Sequence, residues 1–202
     1  MCGRYWIDGE NSSDELKQII DDLNRKQSES STPVQIKTGE ICPTDVVPVI
    51  ANSRSMKIKP FIMCWGFSGF GNGNRPIINA RSETAMGKSM FRDPLLSRRC
   101  LIPASHYFEW QKQGNEKIKH AIKTVEPMIY MAGIYRFEPS KPFPVFSILT
   151  RAAIPEIQHV HDRMPVILPR EFCNEWLSPN ADVSNLLSEA DNRILYRAMV
   201  NN

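Results

Sequence analysis

The hydrophobic pattern of this chain predicts many short β-strands, because apolar residues either alternate with polar ones or form brief runs ended by turn residues. Strands are predicted at Arg4–Ile7, Val46–Ile50, Ile58–Trp65, Ile118–Ile122, Met128–Tyr135, Val145–Thr150 and Val166–Leu168. Pro48 removes a backbone donor from the second of these, which predicts an edge strand. Gly114 and Asn115 predict a hairpin turn, and residues 161–165 predict a turn that ends in proline.

The clearest helical pattern lies near the N-terminus, where apolar residues recur on one helical face: Leu16, Ile19, Ile20 and Leu23. Ser12 is the predicted N-cap, with Glu15 completing a capping box. The polar segment Lys26–Thr32 is predicted to be a loop. Shorter helices are predicted at Ser89–Leu96, at Ile154–Val160 and after Pro169.

These elements show no regular alternation of strand and helix. The sequence therefore predicts an α+β fold that is β-rich, with a mostly antiparallel, barrel-like core and peripheral helices. A chain of 202 residues fits one domain, spanning residues 1–202.

Composition excludes several classes of protein. The chain is 42% hydrophobic and 23% charged, with a formal net charge of +3, so charge alone indicates no nucleic-acid partner. No apolar run approaches a membrane span, and the N-terminus has no signal pattern. We therefore expect a cytoplasmic protein with no membrane partner. No heptad pattern or large amphipathic face suggests more than a monomer.

The cysteine pattern argues against a disulfide framework and against a structural zinc site, because the count is odd and no C-x-x-C pair occurs. The cysteines are Cys2, Cys42, Cys64, Cys100 and Cys173. His159 and His161 form a pair without a third ligand cluster, so no metal is predicted. No cofactor is predicted either.

Cys2 carries the most distinctive candidate chemistry. If Met1 is removed, Cys2 presents an α-amine and a thiol on one residue, with unperturbed pKa values near ~8 and ~8.5. An amine condenses with an aldehyde to an imine, and the thiol can close on that imine to give a five-membered thiazolidine. The alternative interpretation is that Cys2 is an ordinary small hydrophobic residue of the core.

Two further residues are candidates for proton transfer. Glu109 lies between Phe108 and Trp110, and an acid flanked by aromatic residues is expected to be desolvated, which raises its pKa. His161 titrates near neutral pH and suits proton shuttling. A surface glutamate and a packing histidine are the alternative interpretations.

Arginines and aromatic residues near these positions suggest contact with a single strand of nucleic acid. Arg4, Arg81 and Arg163 could bind phosphates with their planar guanidinium groups. The aromatic candidates for stacking on unpaired bases are Trp65, Phe67, Phe70 and Trp110. Surface charges and core aromatics remain the alternative interpretation of both sets.

Taken in order, these clusters resemble the SOS response-associated peptidase (SRAP) family, the abasic-site processing proteins of the YedK and HMCES type. The resemblance rests on a series of short motifs that spans nearly the whole chain: Met1-Cys2-Gly3-Arg4, residues 79–84, Phe91-Arg92, residues 98–104, Tyr107-Phe108-Glu109-Trp110, Ala132-Gly133 and residues 161–165. Each motif is weak alone, whereas the ordered set is specific.

The resemblance implies that Cys2 links covalently to an abasic site in single-stranded DNA, and that the cytoplasmic protein is nucleoid-associated when it is bound to DNA. Asn79, Glu109 and His161 match the family's other active-site positions, and Arg4, Arg81 and Arg163 match positions near the DNA backbone. Strand scission by β-elimination through the imine is also implied. The family name further implies autoproteolytic removal of whatever precedes Cys2.

The chain departs from the family pattern at two places. After Trp65-Gly66 the family often continues with an apolar residue, a proline and a second Trp, whereas here a Gly- and Asn-rich segment follows. That segment is predicted to be a mobile loop, and Phe67 or Phe70 is expected to replace the missing aromatic. His106 stands where a glycine commonly precedes the aromatic pair.

Two other functions remain open from the sequence. Cys2 with His161 could serve as the pair of a Cys-dependent peptidase or of an N-terminal-nucleophile amidohydrolase. The arginine and aromatic residues alone would suffice for a non-enzymatic module that binds single-stranded DNA.

Overall fold

The computed structural model describes residues 2–9, 13–29, 33–69 and 75–199. The strands are β1 (Arg4–Ile7), β2 (Gly39–Ile41), β3 (Val46–Asn52), β4 (Ile58–Trp65), β5 (Asn79–Arg81), β6 (Arg99–Ala104), β7 (His106–Gln113), β8 (Glu116–Thr124), β9 (Ile129–Arg136), β10 (Val145–Ala152), β11 (Arg163–Pro165), β12 (Ile167–Leu168) and β13 (Ile194–Ala198). The helices are α1 (Asp14–Ser28), α2 (Ser82–Ala85), α3 (Ser89–Ser97), α4 (Pro155–Gln158), α5 (Cys173–Leu177) and α6 (Val183–Ser188), with a 3-10 turn at Arg170–Phe172.

Five strands form a closed ring at the centre of the molecule. Around the ring, β10 pairs with β4, β4 with β3, β3 with β6, β6 with β9, and β9 returns to β10. Only the pairing of β10 with β4 is parallel, so the predicted α+β fold with a mostly antiparallel, barrel-like core is confirmed. Ring closure leaves the central strands without a free edge.

A second sheet of five strands packs beside the ring, in the order β13-β8-β7-β1-β2, and all of its pairings are antiparallel. In this sheet Tyr5 lies directly opposite Tyr107, and Arg4 lies opposite Phe108. Because side chains alternate along a strand, Tyr107 and Glu109 share one face, while Phe108 occupies the other. Tyr5 and Tyr107 pack into the main hydrophobic core, whereas Phe108 is buried but lies outside that cluster, so the face of Tyr107 and Glu109 is the inner one.

Strand β10 brings distant segments of the chain together at one end of the ring. β5 runs parallel to it, with Arg81 opposite Thr150, and β11 runs antiparallel on the other side, with Arg163 opposite Ala152. The arginines at positions 81 and 163, far apart in sequence, therefore flank the same strand end.

Helix α1 differs from its prediction at both ends. Its N-cap is Ser13, whose Oγ accepts a hydrogen bond from the backbone N–H of Leu16 at 3.4 Å, while the predicted cap Ser12 lies outside the described residues. The helix also continues to Ser28, so the prediction of a loop from Lys26 was wrong there. Lys26 favours the last helical turn because its positive charge complements the helix dipole.

Strand β3 is not the edge strand that Pro48 predicted, because it pairs with β4 on one side and with β6 on the other. The pairing with β6 involves only Ile50 and Ala51, which lie beyond the proline. Pro48 therefore removes no hydrogen bond from that ladder. The predicted turn at 161–165 is likewise shorter than expected, since Arg163–Pro165 forms strand β11.

Close packing in the ring depends on a glycine in β9. A Cβ at Gly133 would lie 2.4 Å from Ile102 Cδ1 and 3.1 Å from Cys100 Sγ. Both neighbours are fully buried, so neither can move aside without disturbing the core.

We therefore expect Gly133→Ala to lower the free energy of unfolding by about 1–3 kcal/mol through overpacking. Urea denaturation measures this change. The matched control is Gly87→Ala, where the nearest atom to the new Cβ is Thr84 O at 3.6 Å, and the expected change is within about 0.5 kcal/mol. Equal stability of the two variants would contradict this account of the ring.

Candidate active site

Cys2 lies directly before β1 and is fully buried. The side chain of Asn79 holds its backbone, because Nδ2 donates a hydrogen bond to the carbonyl oxygen of Cys2 at 2.9 Å. The Cys2 thiol itself makes a weak hydrogen bond to the carbonyl of Arg4 at 3.6 Å. Residues from the two sheets therefore fix the start of the chain in one place.

The environment of the Cys2 thiol favours its neutral form. Burial raises the pKa of this thiol far above its usual range, and the nearby negative charge of Glu109 raises it further. At neutral pH the side chain is therefore a thiol that must lose a proton before it can act as a strong nucleophile.

Glu109 on β7 is 2% exposed and supplies a group that can take that proton. Burial raises the pKa of Glu109 to about 7, so the expected desolvation is confirmed. Its predicted source is not, because Phe108 and Trp110 lie on the opposite face of β7 from Glu109. A carboxyl group with this pKa is present in both protonation states near neutral pH. It can therefore donate and accept protons in one reaction.

His161 reaches the same region on the turn before β11. Burial lowers the pKa of His161, so the imidazole is neutral near pH 7. Its Nδ1 lies 3.0 Å from the backbone N–H of Arg163 and 2.8 Å from Asp162 Oδ1. Nδ1 accepts from Arg163 when it carries no proton and donates to Asp162 when it carries one, so these two contacts belong to different tautomers of the neutral ring.

The structure thus brings together the candidate catalytic residues, although they come from four separate segments. Asn79 contacts Cys2 directly, and Glu109 acts on the Cys2 thiol through its charge. Asp162, the neighbour of His161, contributes to raising the pKa of Glu109, after the larger effect of burial. The catalytic roles of these residues stay predictions.

Two buried tyrosines beside these residues were missed by the sequence analysis. Tyr5 and Tyr107 are fully buried, and neither hydroxyl has a hydrogen-bond partner among the described residues. Oδ1 of Asn79 is also buried without a partner in this part of the chain. The available signal was strand alternation, which places Tyr107 on the face of Glu109. Unpartnered buried polar atoms are rare inside proteins, and three of them lie together here.

Arg163 is not a free cation. Its guanidinium donates two hydrogen bonds to the carboxylate of Glu83, at 2.7 and 2.9 Å, and another to the carbonyl of Thr150 at 2.7 Å. The hydrogen bonds from Arg163 lower the pKa of Glu83 to about 2. No sequence pattern indicated this pair, since the two residues are 80 positions apart. Phosphate binding by Arg163 stays a prediction and would compete with this ion pair.

The other two candidate phosphate ligands differ in their surroundings. Arg4 is partly exposed, donates to the carbonyl of Gly3 at 2.7 Å, and lies 3.5 Å from the carboxylate of Glu40. Arg81 is exposed and makes no ion pair with any described residue. Arg81 is therefore the arginine of the three whose guanidinium is most available to a ligand.

Two of the predicted stacking residues were assigned wrongly. Trp65 and Phe67 are fully buried, so neither ring can stack on a base at the surface. Trp65 instead donates to the carbonyl of Ile78 at 3.0 Å and stacks on Phe146 in the core. Both rings pack in the core of the molecule, so the alternative interpretation of these two residues as core aromatics is the correct one.

The remaining aromatic candidates have different outcomes. Phe70 lies outside the described residues. Trp110 is partly exposed on the opposite face of β7 from Glu109, with the ammonium of Lys119 at 5.6 Å from its ring. An exposed ring beside a cation suits base stacking, so the prediction for Trp110 stays open.

Within the described ranges, no three His, Cys, Asp or Glu side chains are grouped closely enough to hold a metal ion. All five cysteines are free thiols, and Cys2, Cys100 and Cys173 are buried. No helix in this part of the chain is long and apolar enough to cross a membrane.

Comparison with known proteins decides the family. The model of the SOS response associated peptidase (SRAP) family matches residues 1–202. The chain belongs to the SRAP family. The resemblance found in the sequence motifs is therefore confirmed.

Named relatives of this SRAP protein are abasic site processing proteins. YoqW of Bacillus subtilis is 37% identical over 208 residues, covering 93% of this chain and 85% of that protein. YedK of Escherichia coli is 30% identical over 181 residues, covering 88% and 79% of the two chains. The match to YoaM of Bacillus subtilis is 38% identical and spans about half of each protein, 51% of this chain and 48% of the relative.

Solved structures share the fold of this SRAP protein. A crystal structure of a protein from Bacteroides thetaiotaomicron has a TM-score of 0.76 at 23% identity and covers 99% of this chain and 93% of that chain. A phage-related protein from Bordetella bronchiseptica has a TM-score of 0.74 at 21% identity. At these identities the likeness concerns the fold alone.

The Glu83–Arg163 ion pair predicts a pH dependence of stability in this SRAP protein. The folded pKa of Glu83 is about 2, below its ordinary value, so the pair stabilises the fold above about pH 4.5 and is lost as the pH falls toward 2. We expect Glu83→Gln to lower the free energy of unfolding at pH 7 by about 0.5–1 kcal/mol, a small value because Glu83 is half-exposed.

Urea denaturation at pH 7 and at pH 2 measures this effect. The difference between wild type and Glu83→Gln is expected to shrink at the lower pH. Glu156→Gln, an exposed acid without an ion pair in the described chain, is the matched control. A difference that is constant across the pH range would exclude the ion pair as its cause.

Proposed function

We propose that this SRAP protein forms a covalent DNA–protein crosslink between Cys2 and abasic sites in single-stranded DNA. One observation carries the proposal: Cys2, which can present an amine and a thiol together, is held by Asn79 beside a carboxyl group with a pKa of about 7. Membership of the SRAP family and the names of its relatives support it.

The reaction begins with a free α-amine on Cys2, which requires that Met1 be removed. An abasic deoxyribose opens to an aldehyde at C1′. The Cys2 amine adds to this carbonyl, and loss of one water gives an imine. The sulfur then bonds to the same carbon while the thiol proton passes to the nitrogen, which closes the thiazolidine. The net change is an amine, a thiol and an aldehyde giving a thiazolidine and water.

Glu109 moves the protons in this sequence. Its carboxylate accepts a proton from the attacking amine, and its protonated form donates one to the departing hydroxyl as the imine forms. It then accepts the proton of the buried Cys2 thiol as the ring closes. A pKa of about 7 suits both directions of transfer at neutral pH.

His161 and the unpartnered polar atoms act on the sugar. In the tautomer whose Nδ1 accepts from Arg163, the Nε2–H of His161 would donate to the ring oxygen of the deoxyribose and favour opening to the aldehyde. The hydroxyls of Tyr5 and Tyr107 and the Oδ1 of Asn79 offer hydrogen bonds to sugar oxygens. Asn79 also fixes the Cys2 carbonyl, which limits the directions from which the amine can attack.

The DNA strand is held chiefly by its phosphates. Arg81 is exposed at the end of β5, two residues after Asn79, and Arg4 begins β1 two residues after Cys2. Trp110, whose ring is partly exposed, would stack on a base of the strand. Binding of this type carries little sequence preference and weakens as salt concentration rises.

Two further activities belong to the same proposal. The imine intermediate allows β-elimination of the 3′ phosphate, so the protein would act as a lyase when the thiazolidine does not close. Attack of the Cys2 thiol on the preceding peptide bond would remove Met1 by autoproteolysis.

We expect the processed protein to form a slow-migrating covalent band with a uracil-containing single strand after uracil excision, on a denaturing gel. Cys2→Ala and Cys2→Ser should abolish the stable band, because each lacks the thiol that closes the ring. Cys64→Ser is the matched control, since Cys64 is more exposed than Cys2 but lies outside the site. A band that persists in Cys2→Ala, or that forms with intact DNA, would overturn the proposal.

We also expect the crosslinking rate to fall as the pH drops below about 7, because protonation of Glu109 removes the base. Glu109→Gln should slow the reaction by about 100-fold or more and move the inflection toward the amine pKa near ~8. Single-turnover rates between pH 5.5 and 9 measure both effects.

Glu116→Gln, an exposed acid at the start of β8, is the control for this experiment and should leave the profile unchanged. If Glu109→Gln keeps the wild-type inflection near pH 7, Glu109 is not the titrating base.

A further inference from the structure

A large apolar cavity lies away from the candidate active site. Its volume is about 550 Å³, within the range of roughly 300–1,000 Å³ typical of binding pockets. The walls come from β3, β4 and the C-terminal ends of α3, β9 and α5 with the residues that follow them. The principal apolar residues of the lining are Met56, Phe61, Met63, Leu96, Phe137 and Leu177. None of the candidate catalytic or DNA-binding residues lines it, so the function proposed above does not account for it.

The mouth of this cavity exposes large apolar side chains to solvent. Phe137 is 72% exposed, Met56 is 53% exposed and Leu96 is 47% exposed. Exposed apolar residues that rim a concave surface mark interaction sites. A small molecule inside the cavity would leave Phe137 in water, whereas a polypeptide could fill the cavity and also cover its rim.

The charged residues that line the cavity are all positive. Its lining contains Arg54 and Arg99 and no aspartate or glutamate. Arg99 is 7% exposed, and its guanidinium donates only to backbone carbonyls, those of Leu95, Leu96, Trp176 and Ser178. No carboxylate neutralises Arg99 among the described residues. A buried positive charge beneath apolar walls attracts a ligand that combines apolar and anionic groups.

We propose that this cavity docks a peptide segment of a partner protein in which acidic residues adjoin an apolar or aromatic side chain. The aromatic side chain fills the cavity beside Met63 and Phe61, and a carboxylate faces Arg54 and Arg99. In this mode of binding, most of the binding free energy of the peptide comes from the one apolar side chain that enters the cavity. Because the cavity and the candidate active site share no residues, docking leaves Cys2 accessible.

Charge also argues against two other occupants. In an isologous dimer whose two-fold axis passes through the cavity, the arginines of one copy would face those of the other, and the chain already carries a net charge of +3. A nucleic-acid backbone requires a series of cations along its path, whereas this cavity offers two arginines within apolar walls.

The test uses the full chain and fluorescein-labelled hexapeptides with the pattern Gly-Ser-Asp-Asp-Leu-Phe, in all orders of the last four residues. Fluorescence anisotropy should show saturable binding by at least one acidic peptide. Replacing both aspartates by lysine in that peptide should weaken binding by about ten-fold or more, and 0.5 M salt should also weaken it. Absence of saturable binding by every peptide of the series overturns the proposal.

Variants then locate the site. Phe137→Ser and Arg54→Glu change exposed residues, so the fold should be retained, and each should weaken binding by about ten-fold or more. The matched controls are Val125→Ser, an apolar residue 56% exposed elsewhere, and Lys112→Glu, an exposed charge at the end of β7. Both controls should bind like wild type. Binding that survives Phe137→Ser and Arg54→Glu places the peptide elsewhere and overturns the proposal.

Two further outcomes would assign the cavity to another occupant and so overturn the proposal. Decanoate that displaces the peptide at equal or lower concentration would identify a small amphiphile as the ligand. Concentration-dependent dimerisation in sedimentation, abolished by Phe137→Ser, would identify a second copy of the chain. Crosslinking to abasic DNA should be equal in wild type and Phe137→Ser, so this inference stands or falls separately from the proposed function.

Discussion

The arrangement of the candidate site depends on the pairing of one strand, β10. This strand closes the central ring by pairing with β4 and β9, and it also carries β5 and β11 at its far end. β5 brings Asn79 to the carbonyl of Cys2, and β11 follows directly on His161. Because each pairing is a ladder of backbone hydrogen bonds, the register of β10 sets the position of both groups at once.

Burial is what gives the ordinary side chains of this site unusual acid–base properties. The same absence of water raises the pKa of the Cys2 thiol and that of Glu109. The thiol is thereby held in its neutral form beside a carboxyl group that can remove its proton. Such an arrangement costs stability, since buried polar groups lose hydration, and the unpartnered hydroxyls of Tyr5 and Tyr107 add to that cost.

The two arginines that flank β10 show how tertiary contacts separate residues of one type. Arg81 and Arg163 follow similar local patterns in the sequence, yet Arg163 is held by Glu83 and Thr150 while Arg81 is exposed without an ion pair in the described chain. The Glu83 pair links α2 to β11 and supports the turn that carries His161. Arg163 can therefore position the site even before any ligand is bound.

Much of this protein was determined by its sequence alone. The alternation of apolar residues predicted most strands, and the order of short motifs indicated the family, because these signals depend on local spacing. The desolvation of Glu109 was also predicted, but it arises from the packing of the inner face and not from the flanking aromatic residues. Only the tertiary structure decided that Trp65 and Phe67 belong to the core, that Arg163 pairs with Glu83, and that an apolar cavity with two arginines lies away from Cys2. An apolar or charged residue has the same local pattern whether it meets solvent, a partner or the core. Its role depends on which distant segments pack against it, and that is set by strand pairing across the whole chain.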